Sequence, residues 1–272
     1  MPGVGKTTLA RILARTIGGH DGRIQCTPDL KAEEVLGRER LGGPASLSRE
    51  PEFEPGPIFA NAVLFDELNR ATPHLQSSLL EAMEEGAVTV GKRRHALPRP
   101  FFVVATMNPH NHAGTFELPH PQRDRFAMRT ALGYASEAGE LALLERYAAF
   151  DVNADIDPIV APGDVVRLQR AVSLVHVPGE VRAYLVRLLR ATREHPGVLV
   201  GASPRSMLST FRCCQALALL DGRDATADHV VELFEPCIAH RLRYRTGVSE
   251  STVVRDVLSS VRIPAPGHRL AA

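Results

Sequence analysis

The sequence predicts an α/β fold: a parallel sheet core in residues 1–150, followed by an α-helical domain in residues 151–272. The first half alternates short apolar runs with amphipathic helical patterns, which is typical of a parallel sheet covered by helices. From about Asp151 onward only helical patterns follow. The acidic, proline-containing stretch 151–163 separates the two patterns, and we interpret it as the linker.

Composition excludes several classes of protein. The 272 residues include 32 Lys+Arg and 31 Asp+Glu, a formal net charge of +1 that argues against a polybasic nucleic-acid or membrane-surface protein. A hydrophobic content of 44% excludes a disordered chain. The four cysteines show no C-x-x-C spacing, and neither a membrane span nor a signal peptide is recognisable. We therefore expect a cytoplasmic protein with reduced thiols.

Local patterns predict the elements of the first half. Four apolar runs indicate strands at residues 23–26, 62–65, 101–105 and 126–131. A helix is predicted over 7–17, with Leu9, Ile12, Leu13 and Ile17 on one face. A second is predicted over 73–85, because Thr72 suits the N-cap and Pro73 the first helical position.

The second half contains three well-marked helices. Its first helix carries apolar residues at i, i+3, i+4, i+7 and i+8, namely Val181, Tyr184, Leu185, Leu188 and Leu189. The next begins at Ser203 and Pro204 and ends near Gly222. The third runs from a Thr226 cap through Val230, Leu233 and Phe234. These helices predict a separate domain.

The chain opens with most of a phosphate-binding loop of the form G-x-x-x-x-G-K-[ST]. Its residues are Pro2, Gly3, Val4, Gly5, Lys6, Thr7 and Thr8. In such loops backbone N–H groups cradle phosphates, the lysine reaches the β and γ oxygens, and the hydroxyl binds Mg²⁺. The motif's first glycine would fall one residue before Met1, and the preceding strand is absent. The alternative is a surface turn followed by a helix cap.

Polar side chains follow two later predicted strands. Asp66 and Glu67 come directly after residues 62–65, at the edge where open α/β sheets place ligands. We expect Asp66 to hold Mg²⁺ together with Thr7, and Glu67 to orient and deprotonate a water molecule. Asn108, after the strand 101–105, is placed to hold that water or to sense a γ-phosphate. The alternatives are an acidic loop and an Asn-Pro turn.

Two arginines complete the predicted site. Arg125 precedes the last predicted strand and is a candidate arginine finger, which would neutralise charge on a γ-phosphate held by a neighbouring subunit. Arg205 lies in the first turn of the helix capped by Ser203, where a cation is disfavoured unless an anion is bound nearby. The alternative for Arg125 is a surface arginine paired with Asp124 or another acid, and the alternative for Arg205 is a solvated arginine.

Together and in this order, the motifs resemble the AAA+ ATPases, and among them the MoxR group. The resemblance rests on RIQCTPDL at 23–30, FEPGPIFAN at 53–61, LLEAMEE at 79–85 and GASPR at 201–205. It implies the following roles: Walker A for Lys6 and Thr7, Walker B for Asp66 and Glu67, sensor 1 for Asn108, the finger for Arg125 and sensor 2 for Arg205. Asn69 and Arg70 also match the family's run after the Walker B acids.

The resemblance implies more about architecture and partners. A five-stranded sheet of order 5-1-4-3-2, here without its first strand, would carry an α-helical lid and two inserted hairpins, at 34–57 and 88–97. The implied cofactors are ATP and Mg²⁺. The implied assembly is a ring, usually a hexamer, that remodels or activates client proteins alongside a partner with a von Willebrand factor A domain.

Alternatives remain open at this point. The incomplete loop favours a truncated module that binds a partner without turnover, and Arg123 competes with Arg125 as the finger. A nucleic-acid motor would use the basic run 91–95, although the near-neutral chain disfavours strong phosphate binding. A metal site built from His110, Asn111, His112 and His120 is a further alternative, weakened because an H-x-H loop without other ligands is usually incidental.

Overall fold

The computed structural model describes residues 4–40, 52–108, 115–148 and 156–264. The chain forms two compact units. The first unit comprises Met1–Leu118 and Ala131–Val166, and the second comprises Pro119–Thr130 and Arg167–Ala272. The division into domains at residues 150 and 151 stays a prediction.

Helices and short strands make up both units. The helices are α1 (Lys6–Thr16), α2 (Ala32–Leu36), α3 (Pro73–Glu85), α4 (His120–Arg123), α5 (Glu137–Ala148), α6 (Pro162–Leu174), α7 (Gly179–Glu194), α8 (Pro204–Leu220), α9 (Ala227–Ile238) and α10 (Glu250–Ser260). The strands are β1 (Asp21–Gln25), β2 (Gly37–Arg40), β3 (Glu52–Pro55), β4 (Ala62–Asp66), β5 (Ala87–Val90), β6 (Arg93–Ala96), β7 (Phe102–Ala105), β8 (Val198–Val200) and β9 (Arg243–Tyr244). Two 3₁₀ turns occupy Leu68–Arg70 and Ala239–Arg241. None of the helices in these ranges is long and apolar enough to cross a membrane.

A three-stranded parallel sheet of order β1-β4-β7 forms the centre of the first unit. Its middle strand, β4, is buried along its whole length, as expected of an apolar strand flanked on both sides. The register pairs Gln25 with Asp66 and Phe65 with Ala105, so the three strands end at the same edge. The three predicted strands 23–26, 62–65 and 101–105 are thus confirmed, and their order agrees with the 4-3-2 part of the implied sheet.

Both implied hairpins are present. Strands β2 and β3 pair antiparallel, as do β5 and β6, at the positions where the resemblance places insertions. Residues 41–51, within the first hairpin, lie outside the described residues. In the second hairpin Gly91 adopts a φ of +61°, a left-handed conformation that glycine accommodates at little cost in a tight turn.

Helix α1 packs on β4 through small residues, contrary to the predicted leucine face. Ala10 and Ala14 are its buried residues, whereas Leu9 and Leu13 remain 49% and 43% exposed. The two alanines are four residues apart and therefore lie on one stripe of the helix. Their small side chains let the helix backbone approach the sheet closely, which the periodicity of larger apolar residues could not reveal.

Helix α3 begins and ends where its sequence signals predict. Thr72 caps it by accepting a hydrogen bond from the backbone N–H of Leu75 at 3.4 Å, and Pro73 occupies the first helical position. Gly86 ends it at a φ of +59°. These are the usual start and stop signals of a helix.

The predicted strand at 126–131 is wrong. None of these residues is in a strand, and backbone groups of Phe126 and Arg129 bond to the second unit's 3₁₀ turn and helix α9 instead of to a sheet. The carbonyl of Phe126 accepts hydrogen bonds from Arg241 and His240, and the N–H of Arg129 donates to the carbonyl of Pro236 at 2.8 Å.

The second unit is a helical domain with its own apolar core. The five apolar residues predicted on one face of α7 are all buried, as are Val230, Leu233 and Phe234 of α9. Helix α8 begins at Pro204 and ends at Leu220, close to the predicted limits. The sequence patterns of this half therefore predicted α7, α8 and α9, and the amphipathic periodicity predicted the buried faces of α7 and α9. Helices α6 and α10 were not predicted.

Candidate active site

The N-terminus of α1 opens the candidate site. Gly5 precedes the helix at a φ of +87°, a conformation that favours glycine, and its carbonyl accepts the hydrogen bond of Leu9 at 2.9 Å. The N–H groups of the first helical turn have no acceptor within the helix, and the helix dipole makes this end electropositive. With no acid in that turn, the site favours an anion.

Asp66 at the end of β4 faces this helix end. Its Oδ1 accepts hydrogen bonds from the hydroxyls of Thr7 at 2.9 Å and Thr106 at 2.6 Å, and its Oδ2 lies 3.1 Å from the guanidinium of Arg23. Burial raises the pKa of this carboxyl, but the three hydrogen bonds and the positive charge of Arg23 outweigh it. The net pKa lies below the ordinary value, which keeps Asp66 ionised.

Lys6 contacts the end of the next strand. Its Nζ donates to the carbonyl of Met107 at 2.8 Å and to Oδ1 of Asn108 at 3.0 Å. Both acceptors are uncharged, and the bond to Met107 is exposed to solvent, so the lysine charge is available to an anion at the helix N-terminus. The backbone of Asn108 is held in turn by Asn69, whose Nδ2 donates to the Asn108 carbonyl at 3.1 Å.

Glu67 follows Asp66 in a left-handed conformation, with φ +56° and ψ +50°. It is the one non-glycine residue of the described chain with positive φ, a conformation that carries a steric cost for side chains with Cβ. The backbone N–H of Glu67 donates to the hydroxyl of Thr106 at 3.0 Å, and the Glu67 carboxylate pairs with Arg70 at 3.0 Å. Because of this turn, the adjacent carboxylates of Asp66 and Glu67 have different partners.

These residues enclose one cleft of about 370 Å³ in the first unit. It is lined by Gly5, Lys6, Thr7, Thr8, Asp66, Glu67, Thr106, Met107 and Asn108. Seven of the predicted site residues therefore lie together. Val4 precedes the cleft in the chain, and Pro2 and Gly3 lie outside the described residues, as do His110, Asn111 and His112.

Arg125 and Arg205 belong to the second unit. Arg125 follows α4 and donates from Nη1 to the carbonyl of Pro121 at 2.7 Å. Arg205 lies in the first turn of α8. Beside this turn, both oxygens of Asp124 accept from the hydroxyl of Ser203, at 2.9 and 3.1 Å. A carboxylate at a helix N-terminus is stabilised by the helix dipole.

Sequence reasoning missed two residues of the site. Thr106 was visible as a hydroxyl at the end of a strand, two residues before Asn108, but its bond to Asp66 spans 40 residues. Arg23 begins the run 23–30 that carries part of the resemblance, but no site role was predicted for it. It reaches Asp66 because β1 and β4 pair in a register that places Gln25, two residues further along, opposite that carboxylate.

Family models match both parts of the chain. Residues 1–128 match the family described as ATPase family associated with various cellular activities (AAA), and residues 190–261 match the AAA lid domain. A solved structure from Cytophaga hutchinsonii, provisionally described as an ATPase, superimposes with a TM-score of 0.86 at 30% identity, covering 97% of this chain and 84% of that one.

Curated relatives cover nearly the whole chain. The uncharacterized protein YeaC of Bacillus subtilis is 39% identical over 97% of this chain and 83% of its own length. Chaperone MoxR1 of Mycobacterium tuberculosis is 37% identical over 97% of this chain and 73% of its own length. Protein MoxR of Methylorubrum extorquens is 30% identical over 97% and 84%, respectively. With its parallel α/β core, helical second unit and these relatives, the chain belongs to the AAA+ ATPases of the MoxR type.

Proposed function

We propose that this chain binds ATP with Mg²⁺, hydrolyses it, and works as an oligomeric ring, a hexamer, that remodels or activates client proteins. The observation that carries the proposal is the cleft of about 370 Å³, which brings Lys6, Thr7, Asp66 and Asn108 to one helix N-terminus. An electropositive helix end beside an ionised carboxylate suits a phosphate and a divalent cation bound side by side.

The residues present fit the two cofactors. Lys6 and the N–H groups of the first turn of α1 would hold the phosphates of ATP, together with the loop residues Pro2 to Gly5. The Thr7 hydroxyl and the Asp66 carboxylate, 2.9 Å apart, are oxygen ligands of the kind that Mg²⁺ binds. Bound there, Mg²⁺ would neutralise negative charge on the β and γ phosphates.

Four residues would act on the reacting groups. Glu67 would orient and deprotonate the attacking water, and Asn108 would hold that water or sense the γ-phosphate. Arg125 would act on the nucleotide of a neighbouring subunit, with Arg123 as the competing candidate. Arg205 would sense the nucleotide bound by its own subunit.

Three further features belong to the proposal. A von Willebrand factor A domain partner comes from the family resemblance. A cytoplasmic location, and a division into a nucleotide-binding core, residues 1–150, and a lid, residues 151–272, come from the composition and patterns of the sequence. A module that binds its partner without turnover remains the alternative. For a nucleic-acid motor the basic hairpin is less suited, since Arg94 pairs with Glu85 at 2.8 Å and His95 stacks on Phe53.

The test is steady-state ATP hydrolysis by the 272-residue chain with Mg²⁺, across a range of protein concentrations. We expect turnover per subunit to rise with concentration, because a neighbour supplies Arg125. Glu67→Gln should abolish turnover and retain ATP binding, whereas Lys6→Ala should abolish both. Nucleotide binding without turnover at any concentration would favour the binding module. Hydrolysis that is unchanged in Glu67→Gln would remove the proposed base.

A further inference from the structure

A polar cluster in the second unit holds the backbone immediately before Arg125. The carboxylate of Asp124 accepts a hydrogen bond from the Ser203 hydroxyl at 2.9 Å and another from the Ser206 hydroxyl at 2.9 Å. The two serines also cap α8 by bonding each other's backbone N–H groups, at 3.0 Å each. Asp124 is thereby fixed to the first turn of α8, which also contains Arg205.

The same cluster holds the backbone immediately after Arg125. The carbonyl of Phe126 accepts hydrogen bonds from Arg241 Nη2 at 2.7 Å, Arg241 Nε at 3.2 Å and His240 Nε2 at 2.9 Å. Nε of Arg241 also lies 3.9 Å from Asp124. One guanidinium therefore spans the residues on both sides of Arg125.

Arg241 is an unusual side chain to find in this position. It is 1% exposed, and burial lowers the pKa of its guanidinium, an effect that the charge of Asp124 opposes. Removing a guanidinium from water is costly and is tolerated where charge and hydrogen bonds compensate it. Arg241 donates to the carbonyls of Phe126 and Ala127 in the segment that contains Arg125, and to the hydroxyl of Ser209. Much of the compensation therefore depends on the position of that segment.

The segment is held at its ends as well. His120 Nε2 hydrogen-bonds the carbonyl of Arg241 at 2.7 Å, and the N–H of Arg129 donates to the carbonyl of Pro236 at 2.8 Å. Arg129 also forms an ion pair with Glu250. Residues 119–130 are thus bonded, near both ends, to other parts of the second unit.

We propose that Asp124 and Arg241 are positioning residues, which fix the backbone on both sides of Arg125 so that its guanidinium reaches the nucleotide of a neighbouring subunit. This rests on the proposed function, in which Arg125 acts across a subunit interface. A finger arginine can accelerate phosphoryl transfer by about 10³- to 10⁵-fold, and a displacement of about 1 Å in a reacting group can cost about 10²-fold. Loss of a rigid support for Arg125 would therefore forfeit a large part of what its charge contributes.

Mixing two variants of the full chain tests the proposal. Arg125→Ala keeps its own hydrolytic residues but lacks the guanidinium, whereas Glu67→Gln lacks the base but supplies Arg125. Each variant alone should be nearly inactive. Their mixture should regain ATP turnover, because an Arg125→Ala site then lies beside an intact Arg125.

Arg241→Lys is then added to one of the two variants at a time. In the Glu67→Gln subunit, which supplies Arg125, it should reduce the recovered turnover at least about tenfold. In the Arg125→Ala subunit it should leave the turnover within about twofold, since that subunit has no guanidinium to position. Equal losses in both arrangements, or no loss in either, would overturn the proposal, because general destabilisation does not depend on which subunit carries it.

One further variant is a control for Arg241→Lys, and another replaces it if it does not fold. Arg245 also donates to a backbone carbonyl of the second unit, that of Pro196 at 2.8 Å, but far along the chain from residues 119–130. Arg245→Lys in the Glu67→Gln subunit should therefore leave the recovered turnover unchanged. If Arg241→Lys does not fold, Asp124→Asn in the Glu67→Gln subunit takes its place, with the same tenfold loss expected.

Amide hydrogen exchange supplies a readout that needs no nucleotide. The N–H groups of Asp124, Arg125 and Phe126 donate within the turn at 3.0 to 3.2 Å and should exchange at least about tenfold faster in folded Arg241→Lys. Unchanged exchange would overturn the proposal. Faster exchange, together with no recovery when the two parent variants are mixed, would show that the backbone is held as described but that Arg125 does not act across subunits. That result would contradict the action of Arg125 on a neighbouring subunit's nucleotide. It would also contradict the inference that Asp124 and Arg241 position Arg125 for that action.

Discussion

The hydroxyl of Thr7 donates to Oδ1 of Asp66 at 2.9 Å, which joins the first turn of α1 to the carboxyl end of the central strand β4. The two residues are 59 positions apart in the chain. Asp66 is 6% exposed and also bonds Thr106 and Arg23. The fold itself thus holds the hydroxyl and the carboxylate together.

Replacing Thr7 should separate its structural and metal-binding contributions. Thr7→Val keeps the shape but removes the hydroxyl, whereas Thr7→Ser keeps the hydroxyl. We expect Thr7→Val to lose the Mg²⁺-dependent part of ATP affinity and to lower the free energy of unfolding by only about 1 kcal/mol, because Asp66 retains its other partners. Isothermal titration calorimetry with and without Mg²⁺ measures the first effect, and urea unfolding measures the second. Thr7→Ser that behaved like Thr7→Val would contradict a role for the hydroxyl.

Because the backbone of Glu67 is left-handed, we expect its replacement by glycine to be less destabilising than its replacement by alanine, the reverse of the usual order. Glycine adopts a φ of +56° more readily than alanine, so Glu67→Gly should be more stable than Glu67→Ala by about 1 kcal/mol. Both variants lose the ion pair with Arg70, which therefore cancels in the comparison. Thermal unfolding followed by circular dichroism measures the difference. Ala71, with a φ of −66°, is the matched control, and Ala71→Gly should lower stability instead.

The contact of Asp124 with α8 should contribute measurably to the second unit. Asp124→Asn removes the charge that accepts the Ser203 and Ser206 hydrogen bonds, and we expect a loss of about 1.5 to 3 kcal/mol in the free energy of unfolding. A double-mutant cycle with Ser203→Ala should show a coupling of at least about 0.5 kcal/mol. Asp228 in the first turn of α9 is exposed, so Asp228→Asn should lose only about 0.3 to 1 kcal/mol. Additive effects of Asp124→Asn and Ser203→Ala would mean that the hydrogen bond contributes nothing.

Because His240 is buried, we expect the free energy of unfolding to fall over a defined range of acidic pH. Burial lowers the pKa of this histidine to about 4, because desolvation and the charge of Arg241 outweigh its bond to the Phe126 carbonyl. The unfolded chain has a pKa of about 6.5 at this residue, so the neutral form stabilises the folded state above pH 6.5. That stability is lost as the pH falls from about 6.5 to 4, by up to about 3 kcal/mol.

Urea unfolding at several pH values checks this prediction. His240→Gln should remove most of the loss between pH 6.5 and 4, the range set by the unfolded and folded pKa values. His74 is exposed, and His74→Gln should retain the wild-type pH dependence. A pH profile that is identical in wild type and His240→Gln would show that His240 is not the residue responsible.

Much of this fold could be read from the sequence, because local patterns report which face of an element is buried. The apolar run at 62–65 predicted the central strand, and the Thr72 cap with Pro73 predicted α3. The cleft residues were predictable for a different reason: parallel strands end at one edge, so the polar residues that follow β4 and β7 must lie near each other and near the end of α1.

Tertiary structure alone decided the rest. Residues 126–131 have the composition of a strand, but the Phe126 carbonyl and the Arg129 N–H bond to residues more than 100 positions away, and no local pattern encodes such a partner. Asp124 lies beside arginines in the sequence, yet its carboxylate accepts from the hydroxyl of Ser203, the N-cap of α8, 79 residues further along. The sequence by itself determined the periodic elements and which residue types meet at the sheet edge. The choice among alternative hydrogen-bond partners followed only when the chain was packed, since each buried polar group takes whichever partner the fold brings within reach.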